Sequence, residues 1–183
     1  MKILVISDIH GSYEDLKKVF DVNFGDGKFN PDKTFILGDL YYSGPRNIPT
    51  SSYSPKECVS LLNEYKDKII AVKGNCEAEV DEMVSEFGIY PDYYIELGGR
   101  KYLLCHGHHD FESLAKEKGV DVVLTGHTHV KVSDLIPGTR IIHANPGSIS
   151  MPKDNTKSFV RIEDNRLSFI NLDTLEEICA TVI

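Results

Sequence analysis

The hydrophobic pattern of this 183-residue chain falls into two regimes. In the first half, unbroken apolar runs alternate with stretches in which apolar residues recur every three or four positions. The runs Lys2–Ser7, Thr34–Leu37 and Ile69–Val72 are rich in β-branched residues and lack polar alternation, as strands covered on both faces do. Between them Leu16, Val19, Phe20 and Phe24 recur at helical spacing. Ser12 can cap that helix, Glu14 and Asp15 suit its positive first turn, and Gly25 and Gly27 end it. Ser54-Pro55-Lys56-Glu57 opens a second helix with a cap, a proline at the first helical position and a capping box, and Val59, Leu62 and Tyr65 form its inner stripe. Val80, Met83, Val84 and Phe87 predict a third amphipathic helix. The polar stretch from Tyr41 to Tyr53 predicts a loop long enough to carry function.

From Tyr93 onward the period shortens. Tyr94–Leu97 and Lys101–Cys105 flank Gly98-Gly99 as a hairpin. A short helix through Leu114–Lys118 and a buried strand at Val122–Leu124 follow. Lys131–Ile136, Thr139–His143, Ser158–Glu163 and Arg166–Leu172 complete a strand-rich second half, the last two joined by an Asp164-Asn165 turn. An α/β half joined to a strand-rich half predicts two sheets packed face to face with helices outside. No internal repeat or low-complexity segment interrupts the chain, so residues 1–183 read as one domain.

Composition narrows the function classes. Hydrophobic residues make up 41% and charged residues 26%, ordinary values for a soluble globular chain of a length that can bury a real core. Twenty Lys and Arg stand against 28 Asp and Glu, for a formal net charge of −8, with no basic run longer than Lys17-Lys18 or Arg100-Lys101. That disfavours long nucleic acids and anionic membranes as partners, although a small phosphate-bearing substrate stays open because local charge can oppose the global sign. Cys58, Cys76, Cys105 and Cys179 have neither the density of a disulfide scaffold nor CxxC spacing. The apolar start Ile3–Ile6 is too short for a secretory signal and no run nears the roughly 18 residues of a membrane span. The expected location is a reducing cytoplasm. Six of the seven histidines fall between positions 106 and 143.

Candidate chemistry follows the strands. Five polar clusters each come directly after a predicted strand, where ligands gather in α/β folds: Asp8-Ile9-His10, Gly38-Asp39, Gly74-Asn75-Cys76-Glu77, His106-Gly107-His108 and Gly126-His127-Thr128-His129. The i, i+2 pairs would place both side chains on one side of an extended backbone end. Imidazole nitrogens with carboxylate and amide oxygens suit Mn, Fe or Zn better than Ca or Mg. Asp8, His10, Asp39, Asn75, His106, His127 and His129 suffice for two divalent ions if one carboxylate bridges, and Asp39 is the candidate bridge. Any one cluster alone is weak, Gly38-Asp39 reading equally as a strand ending in a turn. Jointly they point to a metal site. Two divalent ions bring about +4 against −2 from the two carboxylates, leaving about +2 for a hydroxide and a phosphate ester.

In these residues the chain resembles the calcineurin-like metallophosphoesterases, whose blocks DxH, GD, GN(H/C)(D/E), H and GHxH occur here in order from Asp8 to His129. Asn145-Pro146-Gly147-Ser148 extends the likeness, and Gly44-Pro45-Arg46-Asn47, Gly74-Asn75-Cys76 and the compact length are similar to the YfcE-type phosphodiesterase branch. The resemblance implies a four-layer αββα sandwich of two mixed sheets and a binuclear centre, most often manganese, with iron, zinc or nickel as alternatives. It implies that Asp8, His10 and His129 bind one ion, that Asn75, His106 and His127 bind the other, and that Asp39 bridges. A hydroxide between the ions would then attack phosphorus in line. It also implies a dimer or higher oligomer.

This chain departs from many relatives at Cys76, where they carry a histidine that serves the leaving oxygen. A neutral thiol is a weak donor with an ordinary pKa near 8.5, so activated aryl leaving groups are expected to be favoured unless Cys76 is merely a packed side chain. Glu77 then has no histidine to orient. Arg46 reads either as a phosphate clamp or as a solvated loop residue. Tyr41, Tyr42 and Tyr53 read as an aromatic wall or as a subunit contact. His108 is the surplus histidine expected nearest the substrate, ahead of His109 and His143. The expected activity is hydrolysis of small phosphate esters. The rivals are a nuclease of the same superfamily, disfavoured by the acidic charge, and a non-catalytic scaffold, disfavoured by retention of His10, His106, His127 and His129.

Overall fold

A computed structural model describes residues Met1–Ile183. Strands β1 (Lys2–Ile6), β2 (Lys33–Ile36) and β3 (Ile69–Val72) form at the three unbroken apolar runs and pair in parallel. Parallel neighbours need crossovers, and helices α1 (Tyr13–Asn23) and α2 (Pro55–Glu64) supply them. After β3 come helix α3 (Glu79–Val84) and the two-residue strand β4 (Ile89–Tyr90). The hairpin of β5 (Tyr93–Leu97) and β6 (Arg100–Leu104) follows, and helix α4 (Phe111–Lys118) crosses over to β7 (Val122–Leu124). Strands β8 (Lys131–Leu135), β9 (Ile142–Pro146), β10 (Ser158–Glu163), β11 (Arg166–Asn171) and β12 (Glu177–Val182) complete the chain. They build a seven-stranded sheet in the order β12-β11-β10-β1-β2-β3-β4 and a five-stranded sheet in the order β5-β6-β7-β9-β8, both of mixed direction.

Side-chain alternation along the buried strands produces three separate cores. Ile3 and Val5 of β1 join Phe35, Tyr102, Leu104, Val122 and Leu124 between the sheets. Leu4 and Ile6 point the other way, onto Leu16, Val19 and Phe20 of α1 and Cys58 and Leu62 of α2. A smaller cluster joins Leu103, Cys105 and Val123 to Ala115 of α4. Three cores separate four layers, so the αββα sandwich expected from the sequence is the observed fold. No helix is long and apolar enough to cross a membrane.

Several local expectations are corrected. The apolar residues of α3 do not form an inner stripe: Val80, Met83 and Val84 are exposed, and Phe87, though buried, lies beyond the helix. Six residues are too few for an apolar face to orient the segment. Polar ties hold it, through the Ala78 N–H to Asp81 Oδ2 and Asn63 Nδ2 to the Val84 carbonyl. Ser12 and Ser54 occupy the cap positions of α1 and α2 without making the capping bond; Ser12 Oγ instead donates to Asp15 Oδ2 at 2.7 Å. The expected Thr139–His143 strand is displaced to Ile142–Pro146 because Ile136 and Ile141 close a turn first. Strands β4 and β12 had no readable period, one being too short and the other an exposed edge. By contrast the Gly98-Gly99 hairpin forms as expected, with φ of 59° and 74° at the two glycines matching a left-handed two-residue turn.

The central position of β1 makes it a sensitive probe of the packing. Leu4→Ala should destabilise the protein by about 2–5 kcal/mol, because a fully buried side chain at the sheet–helix interface leaves a cavity that cannot collapse. Urea denaturation followed by circular dichroism checks this, and a loss below about 1 kcal/mol would contradict the layer assignment.

Candidate metal centre

The loops after β1, β2 and β3 of one sheet and after β6 and β7 of the other meet at one end of the sandwich. They bring Asp8, His10, Asp39, Asn75, His106, His127 and His129 together. His129 Nε2 lies 3.2 Å from Asp8 Oδ1 and 3.2 Å from His10 Nε2, and His10 Nε2 lies 3.6 Å from Asp39 Oδ2. The other oxygen of Asp39, Oδ1, is 3.5 Å from His106 Nε2. Asn75 Oδ1 sits 3.1 Å from His106 Nε2 and 2.7 Å from His127 Nδ1. Two donor sets thus face the two oxygens of one carboxylate. The ligand atoms of Asp8, His10 and His129, and those of Asp8, Asp39 and His106, are close enough together to hold a metal ion.

The backbone here is not the extended strand end that the i, i+2 spacing suggested. Asp8, His10, Asp39, His127 and His129 all have left-handed φ, between 48° and 68°. Each such residue is strained by about 1 kcal/mol or more, and such conformations persist only where surrounding contacts enforce them. The turns are stabilised by backbone bonds between loops, His10 N–H to the Asp39 carbonyl at 2.9 Å and Asp8 N–H to the Gly38 carbonyl at 3.1 Å. Steric room explains two of the glycines. A methyl group on Gly74 would lie 2.2 Å from Asp39 Oδ1, and one on Gly126 would lie 2.1 Å from Ser7 Oγ and 2.9 Å from Asp8 Oδ2.

Tautomers follow from partners. The Nδ1 atoms of His10, His106 and His129 contact the carbonyls of Tyr42, Leu37 and Met151 at 2.9, 2.6 and 2.6 Å. A carbonyl only accepts, so each Nδ1 carries the hydrogen and each neutral ring presents its Nε2 lone pair to the cluster. The lone pairs of His10 and His129 then meet at 3.2 Å, an arrangement that needs a proton or a metal ion between them. Asp8 adds a second sign. Its Oδ2 accepts from Ser7 Oγ and the His127 N–H, but Oδ1 is buried with no hydrogen-bond partner, an orphan shared only with Thr34 Oγ1.

Charge within the cluster is correspondingly tense. Burial pushes the Asp39 carboxyl up, but His106 and His10 outweigh it and hold it well below the ordinary carboxylate range. Burial pulls His106 down, while Asp39 and Asp8 prevail and raise it to about 9; the same contest with Asp8 raises His129. His127 falls, through burial and the nearby His106. A divalent cation satisfies the orphaned oxygen, separates the facing lone pairs and replaces these protons, so the donor set fits metal ions.

Above this cluster opens a pocket of about 550 Å³ lined by Asp39, Gly44, Pro45, Arg46, Asn47, Asn75, Cys76, His127, Thr128, His129 and Lys153. A separate surface concavity of about 490 Å³ around Phe29 and Arg166 contains none of the clustered residues. Tyr41 is buried with its hydroxyl on Ser85 Oγ at 2.8 Å, and Tyr53 packs where a Gly11 side chain would sit. With Tyr42 they stay out of the pocket, so no aromatic wall forms. His108 is also outside its lining: its ring packs 3.9 Å from that of His109 and 6.0 Å from that of His127, beside a shallow cleft with Asp92 and Phe111.

The family model described as the calcineurin-like phosphoesterase superfamily domain matches residues 1–165. The chain belongs to this superfamily. Among its relatives, "Phosphodiesterase YfcE" of Escherichia coli (strain K12) is 38% identical over 176 residues, covering 94% of this chain and 93% of the relative. The solved structure of YfcE, a phosphoesterase from E. coli, matches with a TM-score of 0.88 at 34% identity over 100% of both chains. Wild-type Vps29 from Entamoeba histolytica in complex with zinc shares the fold at a TM-score of 0.63 and 21% identity, over 100% of this chain and 98% of that one.

Within this phosphoesterase fold, Glu77 has a task that its position beside Cys76 did not reveal. Its carboxylate accepts the N–H groups of Asp39 at 3.1 Å, Leu40 at 2.6 Å and Gly74, tying the β2 loop to the β3 loop. Burial pushes it up to about 7, with the three amides opposing. Asn145 of β9 and Ser148 just beyond it act similarly: Asn145 Nδ2 donates to the Gly126 carbonyl and Thr128 Oγ1, and Ser148 Oγ to the Asp8 carbonyl at 2.8 Å. Lys153, in the pocket, had no signal in the sequence beyond following this turn.

Gly74→Ala should displace Asp39 and weaken metal binding about 10–100-fold with little change in fold. Isothermal titration with Mn²⁺ and far-ultraviolet circular dichroism check both halves of that expectation.

Proposed function

We propose that this phosphoesterase superfamily member is a metal-dependent hydrolase of small phosphate esters, phosphodiesters among them, with two divalent ions held by the seven residues. The placement of Asp39 carries this reading: its two oxygens face separate nitrogen and oxygen donor sets, as a bridging ligand requires. Asp8, His10 and His129 would hold one ion, and Asn75, His106 and His127 the other. Bound there, divalent ions would acidify a water and neutralise charge developing on phosphoryl oxygens. The likeness to YfcE, a phosphodiesterase, supports the substrate class, and the mixed nitrogen and oxygen donors support manganese, with iron, zinc or nickel as alternatives. We place the enzyme in the cytoplasm, as a dimer or higher oligomer.

The protein's own residues divide the work. Backbone carbonyls keep His10, His106 and His129 in the tautomer that offers Nε2. Arg46 presents its fork of donors on the pocket side, where it can meet anionic oxygens of the substrate. Cys76 faces the pocket, but burial and the neighbouring Asp39 push its thiol up to about 12, so it stays protonated and serves a departing alkoxide poorly. Retention of all seven clustered residues favours a catalytic role over a non-catalytic scaffold.

Stripping divalent ions should abolish hydrolysis of bis(4-nitrophenyl) phosphate, and Mn²⁺ should restore it. Asp39→Asn should lower kcat/KM at least about 100-fold and reduce the bound metal per chain. Full activity in metal-free protein would overturn the reading, and elemental analysis of both forms locates the loss. For Cys76→His, turnover of alkyl phosphodiesters should improve relative to aryl ones by about tenfold or more. An unchanged ratio would mean that position 76 does not serve the leaving group.

A further inference from the structure

Most lysines and arginines of this acidic chain are engaged with a carboxylate or a carbonyl oxygen. The exceptions are Arg46, Lys56, Lys101, Arg140 and Lys153. Two of these five line the same cavity, the pocket above the metal ligands. They reach it from distant parts of the sequence. Arg46 comes from the loop after β2, where Asn47 Nδ2 donates to the Ser43 carbonyl at 2.7 Å and Gly44 packs against Cys76. Lys153 comes from the segment after β9, where its backbone N–H donates to the His129 carbonyl at 3.0 Å. Neighbouring lysines on that side are paired, Lys131 with Asp154 and Lys157 with Asp15. Asp39 is the single carboxylate in the lining, and Pro45 and Cys76 are its only apolar or weakly polar side chains.

Charge decides what these two cations are for. Two divalent ions against Asp8 and Asp39 leave about +2, which a hydroxide and one phosphodiester balance. Arg46 and Lys153 are then in excess by two for a simple diester. The pocket offers no apolar wall to hold a hydrophobic alcohol either. A second phosphate on the substrate, carrying about −1.5 to −2 at neutral pH, matches the surplus. We infer that the pocket selects phosphate esters bearing a second phosphate group, and that Lys153, with Arg46, recognises that group. The inference rests on the phosphoesterase reading and adds a substrate class to it. Arg46 supplies the planar fork and Lys153 a mobile point charge, both exposed enough for salt to weaken the preference.

The test compares two substrates with one leaving group, 4-nitrophenyl ethyl phosphate and 4-nitrophenyl 2-phosphonoethyl phosphate, on the Mn²⁺-loaded protein. The phosphonate ester should have a kcat/KM about tenfold higher or more at low salt, with the difference in KM. Lys153→Ala should reduce that preference at least about fivefold and Lys153→Arg should restore it, whereas Lys56→Ala, outside the pocket, should leave it unchanged. A preference near one, or one that survives Lys153→Ala and Arg46→Ala, overturns the inference. Calorimetric binding of ethane-1,2-diphosphonate against ethylphosphonate, with metal retention checked by elemental analysis, reads the same selectivity without turnover. If neither ester is hydrolysed but the diphosphonate preference and its dependence on Lys153 persist, the phosphoesterase reading fails and only the recognition of a second phosphate by Lys153 stands. If both esters are hydrolysed equally and both ligands bind equally, the reverse holds.

Discussion

Asp8 and Asp39 lie side by side at the ends of adjacent parallel strands, buried, with the Nε2 atoms of three histidines within 3.2 to 3.8 Å of their oxygens. Unpaired acceptors at such spacing repel one another in a medium that screens poorly, so the cluster is stable only with positive charge inside it. Much of the surrounding structure serves that demand. Backbone carbonyls hold the outer nitrogens of three imidazoles, so that their inner lone pairs converge. Glu77 and Ser148 in turn brace the loops that carry the carboxylates.

The sandwich supplies what those loops cannot supply for themselves. Five ligand residues adopt left-handed backbone, an unfavourable state for side chains of this kind, and two flanking glycines have no room for a methyl group. Such strain is maintained by the rigid strands beneath, whose faces are buried in two different cores at once. Packing between the sheets aligns the ends of β1, β2 and β3 with those of β6 and β7. The cost of the strained loops is therefore borne by apolar burial elsewhere in the molecule, as is common at functional sites.

Electrostatics also separates the surface from the site. A net charge of −8 repels polyanions from the molecule as a whole. Inside the pocket the balance reverses: the imidazoles and Asn75 offer lone pairs without adding negative charge, and Arg46 and Lys153 are left without acidic partners. The polar lining and the neutral Cys76 thiol shape the chemistry further. In the proposed reaction they would favour recognition of charged groups over apolar ones, and leaving groups that need little protonation.

The seven clustered residues were legible in the sequence because metal chemistry would restrict residue types in this way, and because strand ends in α/β folds are where ligand-binding residues gather. Asp8, His10, Asp39, Asn75, His106, His127 and His129 stood out for that reason, as did the buried strands, whose apolar runs are a local consequence of being covered on both faces. Other features depend on partners distant in the chain. The apolar residues of α3 face solvent because polar ties to Asp81 and Asn63 orient six residues more firmly than their hydrophobicity does. Lys153 is an ordinary lysine until the fold sets it beside His129, and Glu77 shows its role only when the Asp39, Leu40 and Gly74 amides converge on it. Sequence by itself determined the donor chemistry and the layers, since both follow from residue type and short-range period. Tertiary structure alone decided the strained backbone, the tautomers and the unpaired cations, since these arise from contacts between segments that no local pattern encodes.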